Sequence, residues 1–194
     1  MKIIRKFRKF IFFLSVLYHY PINYLRGSRL SFTSRIGKGS VLRNSQIGKY
    51  TYIAKNCILN NTVIGNYCSI APNVQIGGME HPYEKCSTST FLSKIPKRKE
   101  TLIGNDVWIA AGCIIKQGVK IGDGAVIGAM SFVNRDVPDN SIYVGIPAKL
   151  LKKRMDDALF QKIKESGYWF HNPEEAKKIL SKLDEKADLS KCRQ

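Results

Sequence analysis

Residues 103–133 read IGNDVWIAAGCIIKQGVKIGDGAVIGAMSFV, and an aliphatic residue recurs in this stretch at every sixth position. The series consists of Ile103, Ile109, Ile115, Ile121, Ile127 and Val133. A period of six matches neither the turn of a helix nor the alternation of an ordinary strand. It requires a backbone whose geometry repeats every six residues, as in stacked coils of short strands and turns.

The same pattern runs through the preceding part of the chain. Its aliphatic members are Ile36, Leu42, Ile47, Ile53, Leu59, Ile64, Ile70 and Ile76, with one-residue slips after Leu42 and after Leu59. Four residues after most of these positions stands a small or β-branched residue, such as Ser40, Thr51, Cys57, Cys68 or Cys113. Ordinary β-hairpins would not hold a six-residue phase for so long. The sequence therefore predicts a mainly β chain that forms a parallel β-helix.

The repeat is interrupted once and is flanked at both ends. A loop excursion at about 77–102 contains His81 and Cys86, and long loops in compact domains are usually functional. Helical spacing runs from Asp156 to Glu185, with Asn172 as a helix cap before Pro173. We expect an N-terminal amphipathic helical segment at 1–30, a β-helix domain at 31–148 and a basic strand and helical tail at 149–194.

Charge and cysteine content limit the partners and the compartment. The chain of 194 residues carries a net charge of +17, which favours an anionic partner such as phosphate, nucleic acid or an acidic membrane surface. Its five cysteines have no CxxC spacing, which argues against a disulfide framework or a zinc ribbon. We expect a cytoplasmic protein.

The N-terminal segment leaves two interpretations open. Residues 3, 4, 7, 10, 11, 14 and 17 are apolar and fall on one helical face, whereas Lys2, Arg5, Lys6 and Lys9 fall on the other. Such a helix can cap the first open coil. It can equally lie on an anionic membrane, which would make the protein peripheral on the inner membrane face.

Several motifs carry a family resemblance. The stretch from Ile103 to Arg154, which ends VGIPAKLLKKR, resembles the acetyl-CoA-binding half of the hexapeptide-repeat acyltransferases. The motif Glu80-His81-Pro82, the sequence STST at 87–90 and the segment SGYWFHNPEEAKKIL at 166–180 resemble the branch of xenobiotic acetyltransferases and related sugar O-acetyltransferases. The resemblance implies a left-handed parallel β-helix, a homotrimer with active sites between subunits, and acetyl-CoA as co-substrate. It implies neither a metal nor a nucleic-acid partner.

The resemblance also assigns site residues. It makes His81 the general base, a role that suits a side chain whose ordinary pKa lies near 6.5. It places the pantetheine arm of CoA at Ala111 and Ala129, near Asn134, and Trp108 on the acceptor side. Arg135, Lys149 and Lys152 would approach the phosphates of CoA. The alternatives are a solvated basic face for these three cations and exposed packing surface for Trp108.

The expected activity is transfer of acetyl from acetyl-CoA to a sugar hydroxyl, in surface-polysaccharide biosynthesis. Three alternatives stay open: an antibiotic O-acetyltransferase, a sugar N-acetyltransferase and a non-catalytic β-helical scaffold. Cys86 would be an acyl-accepting nucleophile only if His81 activated it. The three-histidine zinc site of β-helical carbonic anhydrases has no counterpart, because His19 and His171 lie outside the coil.

Overall fold

Three sheets, here named A, B and C, form the body of the protein in the computed structural model, which describes residues 26–184; all their strand pairs are parallel except the last pair of sheet B. Strands are numbered in chain order. Sheet A contains β1 (Arg29–Leu30), β4 (Gln46–Ile47), β7 (Thr62–Ile64), β10 (Thr101–Ile103) and β13 (Lys120–Ile121). Sheet B contains β2 (Arg35–Ile36), β5 (Tyr52–Ile53), β8 (Ser69–Ile70), β11 (Trp108–Ile109), β14 (Val126–Ile127), β16 (Ser141–Gly145) and β17 (Ala148–Lys153). Sheet C contains β3 (Val41–Arg43), β6 (Ile58–Asn60), β9 (Gln75–Gly78), β12 (Ile114–Lys116) and β15 (Phe132–Val133).

Up to β15 the chain visits sheets A, B and C in turn, so each hydrogen-bonded neighbour is three strands away in sequence. The register places aliphatic residues directly above one another: Ile70 pairs with Ile53 on one side and with Ile109 on the other. Every member of the six-residue aliphatic series is buried in the prism. The first strand begins at Arg29, two residues before the expected start of the domain.

The second series links successive coils through hydrogen bonds. Ser40 Oγ donates to the carbonyl of Ala54 at 2.7 Å, and the thiol of Cys68 donates to Gly104 at 3.0 Å. Cys57 and Cys113 make equivalent thiol contacts with backbone carbonyls. Burial raises the pKa of Cys68 to about 12, so this thiol stays protonated. The cysteines of this series are packing residues, as predicted.

The one-residue slips of the repeat coincide with one corner of the prism. Both fall where the chain turns from sheet C to sheet A, which is the corner at which a coil is completed. The loop excursion leaves the prism at the same corner, between β9 and β10. Because β9 extends to Gly78 and Thr101 already pairs with Thr62, the excursion spans 79–100, slightly less than expected.

The corner between sheets A and B is tied by a ladder of side-chain acceptors. Asn66 Oδ1 accepts from the amide of Lys49, and Asn105 Oδ1 accepts from the amide of Asn66. Asp123 and Asp139 repeat the contact in the next two coils, at 2.7 and 2.8 Å. Each rung satisfies a turn amide that no strand partner reaches.

The tail packs on this A–B corner. After β17, which runs antiparallel to β16, come α1 (Asp157–Ser166), a 3₁₀ helix (Tyr168–Phe170) and α2 (Pro173–Asp184). The expected helical region is therefore divided, and Gly167 ends α1 with a φ of 58°. Arg154 Nη1 lies 2.8 Å from Asp106 Oδ2, and Tyr67 donates its hydroxyl to the carbonyl of His171.

The predicted N-terminal helix lies outside the described residues. Among the helices within 26–184, none combines the length and the apolar character that crossing a membrane requires.

Asn172 caps α2, as the sequence predicts, and this contact is directly testable. Its Oδ1 accepts from the amides of Glu174 and Glu175, at 3.0 and 3.1 Å. We expect Asn172→Ala to lower the free energy of unfolding by about 1 kcal/mol, measured by chemical denaturation. Asn172→Asp keeps the acceptor and should retain most of the stability. Equal losses in the two variants would contradict the capping role.

Candidate active site

His81 lies in the excursion, three residues after β9 ends, and its side chain is exposed. Its ring Nδ1 is 3.0 Å from the carbonyl oxygen of Thr88. A carbonyl oxygen only accepts, so Nδ1 carries the proton and donates it to this bond. In the neutral ring Nε2 is then the acceptor nitrogen. This is the tautomer that a general base needs when it removes a proton from a hydroxyl.

Both ends of the excursion are anchored to the coil at β12. Glu80 Oε1 lies 2.9 Å from Lys116 Nζ, and Gln117 Nε2 donates to Glu80 Oε2 at 3.4 Å. At the other end, the amide of Lys99 donates to Gln117 Oε1 at 3.2 Å. The hydrogen bond from Lys116 lowers the pKa of Glu80, so this carboxylate stays charged and keeps its partner. The contacts hold the residue next to His81 against the coil.

Sequence reasoning missed this anchor. The motif that contains Glu80 gives the glutamate no role, and no repeat or motif singles out Lys116 or Gln117. The available signal was their position: two long polar side chains follow the buried Ile115 at the corner that the excursion leaves.

The excursion and sheet C enclose two adjoining hollows. The larger, of about 560 Å³, is lined by His81 together with Tyr83, Pro96 and several lysines of the loop; we name it the loop groove. The smaller, of about 300 Å³, is lined by Glu80, Phe132 and Asn134. Glu80 borders both hollows. The structure therefore brings Asn134, a predicted cofactor residue, next to the base of the excursion.

Ala111 and Ala129 stack in successive coils at a different corner, between sheets B and C. Both are exposed, and the amide of Met130 donates to the carbonyl of Ala111 at 2.9 Å. Met130 adopts a φ of 58°, and its sulfur lies only 2.4 Å from where a Cβ on Gly112 would stand. The long Met130 side chain thus crosses over Gly112 beside the two alanines, and the φ of 70° at Gly112 lies in the left-handed region that favours glycine.

The remaining candidates are spread over the surface. Trp108 projects outward from sheet B and is 52% exposed, between Ser69 and Val126 on the adjacent strands. Lys149 and Lys152 are exposed on β17, at the end of the same sheet. Arg135 is exposed just after β15. Trp108, Lys149 and Lys152 lie on sheet B, away from the corner at which the excursion leaves, whereas Arg135 lies at that corner, next to Asn134.

We searched the described residues for a group of side chains that could bind a metal ion. No three His, Cys, Asp or Glu side chains in residues 26–184 are placed to share a metal ion. Cys86 is exposed in the excursion.

Comparison with known proteins gives consistent matches. The bacterial transferase hexapeptide family, described by six repeats, matches residues 44–78 and 100–135. A chloramphenicol acetyltransferase of Morganella morganii is 43% identical over 86 residues, 44% of this chain and 41% of that protein. Across three curated acetyltransferases the chain spans about half of their length, at 41%, 48% and 54%.

Two solved structures match more of the chain. A maltose O-acetyltransferase of Clostridium difficile 630 is 31% identical with a TM-score of 0.60, over 71% of this chain and 75% of that one. A hexapeptide-repeat acetyltransferase of Vibrio cholerae O1 biovar eltor, complexed with acetyl-CoA, is 26% identical with a TM-score of 0.62, over 72% of this chain and 78% of that one. These matches confirm the predicted left-handed parallel β-helix.

Proposed function

The chain belongs to the hexapeptide-repeat acetyltransferase family, and from this premise we propose that it transfers acetyl from acetyl-CoA to a hydroxyl of a sugar. The observation that carries the proposal is the geometry of His81, whose Nδ1 donates to the Thr88 carbonyl and whose Nε2 is the acceptor nitrogen. A hydroxyl is hardly ionised near neutral pH and needs such a base in the transition state.

In the proposed reaction Nε2 of His81 takes the hydroxyl proton while the hydroxyl oxygen bonds to the thioester carbonyl carbon. Backbone amides of the coil near Ala111 stabilise the negative charge that develops on the carbonyl oxygen. As the carbon–sulfur bond breaks, the His81 imidazolium returns the proton to the leaving CoA thiolate. The products are an acetyl ester and CoA, and the base is regenerated. Arg135, Lys149 and Lys152 bind the phosphates of CoA as charged donors.

The acceptor is proposed to be a saccharide, in the assembly of surface polysaccharide. One support is the similarity to a maltose O-acetyltransferase, which covers 71% of this chain. The other is the half-exposed ring of Trp108, which offers an apolar face on which a sugar ring can stack. Chloramphenicol is the second candidate, because a chloramphenicol acetyltransferase is 43% identical over part of the chain. CoA release with each candidate offered separately, amino sugars included, identifies the acceptor or an inactive scaffold. Treatment of the product with alkali, which cleaves an ester and leaves an amide intact, then separates O-acetylation from N-acetylation.

We further propose a homotrimer in which His81 of one copy serves the Ala111–Ala129 corner of its neighbour. Support comes from the placement of the residues: the excursion leaves at the C–A corner, whereas the alanines lie at the B–C corner. Sheet C between these corners carries an outward row in which Ile58 is 42% exposed and Ile114 is 46% exposed, with the polar Gln75 between them. Association through such a row would cover it.

Subunit mixing tests the shared site. His81→Ala and Ala129→Trp, which fills the proposed pantetheine path, should each be nearly inactive alone. Random mixing through unfolding and refolding should restore about a quarter of the parent activity in a closed ring, because a quarter of the interfaces join an intact histidine to an intact corner. If each site lay within one chain, every chain would carry a defect and no mixture would recover.

Peripheral contact of the N-terminal segment with an anionic membrane stays a prediction, as does the cytoplasmic location. Sedimentation with anionic vesicles at low salt tests the contact, with a variant that lacks residues 2–18 as control. Binding that needs the segment and weakens with salt would support the contact. Binding that survives the deletion would contradict it.

A further inference from the structure

The loop groove beside His81 concentrates positive charge. Its lining includes Lys85, Lys94, Lys97 and Lys99 but only two carboxylates, those of Glu80 and Glu84. Glu80 is already paired with Lys116, an ammonium from outside this lining. Four lysines therefore line a concave space in which Glu84 is the one carboxylate not engaged by that pair. A concave surface lined by one sign of charge focuses its field on a bound ion.

The chain holds one of these lysines in place. The amide of Lys99 donates to Gln117, and its aliphatic stem lies against Gly118, where an added Cβ would be 2.9 Å from Lys99 Cβ and 3.0 Å from Lys99 Cδ. Gly118 also has a φ of 81°, in the left-handed region that favours glycine. Because residue 118 is glycine and has no side chain, the aliphatic stem of Lys99 can lie against the coil along the wall of the loop groove.

Resting on the proposed acetyl transfer, we infer that the acceptor is an anionic sugar, one joined to a phosphate or pyrophosphate that the lysines of the loop groove bind beside His81. A neutral disaccharide or a neutral antibiotic has no negative charge to pair with these lysines, whereas phosphate oxygens accept charge-assisted hydrogen bonds from lysine. The phosphates of CoA are assigned to a separate set of cations, Arg135, Lys149 and Lys152. The positive charge of the loop groove is therefore available to bind the acceptor.

The kinetic test uses matched acceptors: glucose, galactose and N-acetylglucosamine, each as the free sugar, the 1-phosphate and the UDP-linked form. We expect kcat/KM for a phosphorylated form to exceed that of its free sugar by roughly tenfold or more. Lys94→Gln combined with Lys97→Gln should reduce this preference by roughly tenfold, and added salt should reduce it as well. A UDP-linked form that outperforms the 1-phosphate points to a pyrophosphate-linked acceptor.

The matched control is Lys177→Gln combined with Lys182→Gln, two exposed lysines of α2, which removes the same charge far from the loop groove. Its acceptor preference should equal that of the parent. The inference is overturned if a free sugar is used as well as its phosphate, if both double variants lose preference equally, or if the loss in the loop variant falls on the KM for acetyl-CoA.

A binding arm separates this inference from the proposed function. UDP and inorganic pyrophosphate are titrated into the protein with CoA saturating, so that the CoA site is filled. Binding that weakens roughly tenfold in the Lys94 and Lys97 double variant supports the anionic subsite even if none of the sugars is acetylated, an outcome that would count against the proposed function alone. Absence of binding, or binding that the loop variant does not change, overturns the inference.

Discussion

His81→Ala is expected to lower kcat for acetyl transfer by roughly 10²- to 10⁴-fold, because the variant leaves the attacking hydroxyl without a base. CoA affinity should change little, since no CoA contact is assigned to the ring. The measurement is steady-state CoA release with a sugar acceptor, combined with direct titration of CoA. A kcat equal to that of the parent would end the assignment of His81 as the base.

The matched control for this experiment is His171→Ala. His171 is also exposed, and its Nδ1 contacts a side chain, Glu175, at 3.3 Å, but it lies between the 3₁₀ helix and α2 on the A–B corner. Its removal should leave kcat within about twofold, because it is remote from the excursion. Thr88 provides a further check: its bond to Nδ1 uses the backbone carbonyl, so Thr88→Ala should retain the histidine tautomer and most of the activity.

The second large effect concerns the prism itself. Ile70→Ala should lower the free energy of unfolding by about 2–5 kcal/mol, because the side chain is fully buried between Ile53 and Ile109 and its removal leaves a cavity. Close packing of stacked coils restricts how far the neighbours can relax into that space. Denaturant unfolding followed by circular dichroism measures the change, provided that both proteins are compared at one concentration.

The adjacent residue supplies the control. Ser69 belongs to the same strand but faces outward and is exposed, so Ser69→Ala should change the free energy of unfolding by less than about 0.5 kcal/mol. Ile70→Val should lower the free energy of unfolding by an intermediate amount, about 0.5–1.5 kcal/mol. Similar losses for Ser69→Ala and Ile70→Ala would show that the alternation of inward and outward residues does not govern stability here.

Turn residues mark one limit of sequence reasoning. Glycine and asparagine are the usual residues at positive φ, and Gly39 and Asn56 follow that rule. Tyr50 and Tyr67 also adopt positive φ, at 58° and 57°, which their residue type does not suggest. Their rings stack at 4.9 Å and Tyr67 also bonds the tail, so tertiary contacts compensate for the local strain.

By itself the sequence determined the prism. The six-residue period identified the buried aliphatics from Ile36 to Val133 but not Leu30 of β1. The one-residue slips marked the ends of coils, and the break in the period located the excursion that contains His81. Asn172 likewise identified the start of the last helix. These features are readable because each depends on local geometry, in which a residue's position within its own repeat fixes the direction of its side chain.

Tertiary structure alone decided how the site is assembled. The pair of Glu80 with Lys116, the passage of Lys99 over Gly118 and the contact of Arg154 with Asp106 all join parts of the chain that no periodic signal relates. The same holds for the corners: the excursion that carries His81 leaves the prism at one edge of sheet C, whereas the Ala111–Ala129 pair lies at the other edge. A repeat sets which way a residue points, whereas the path of a non-repeating loop is set by long-range contacts that become visible only once the coils are stacked.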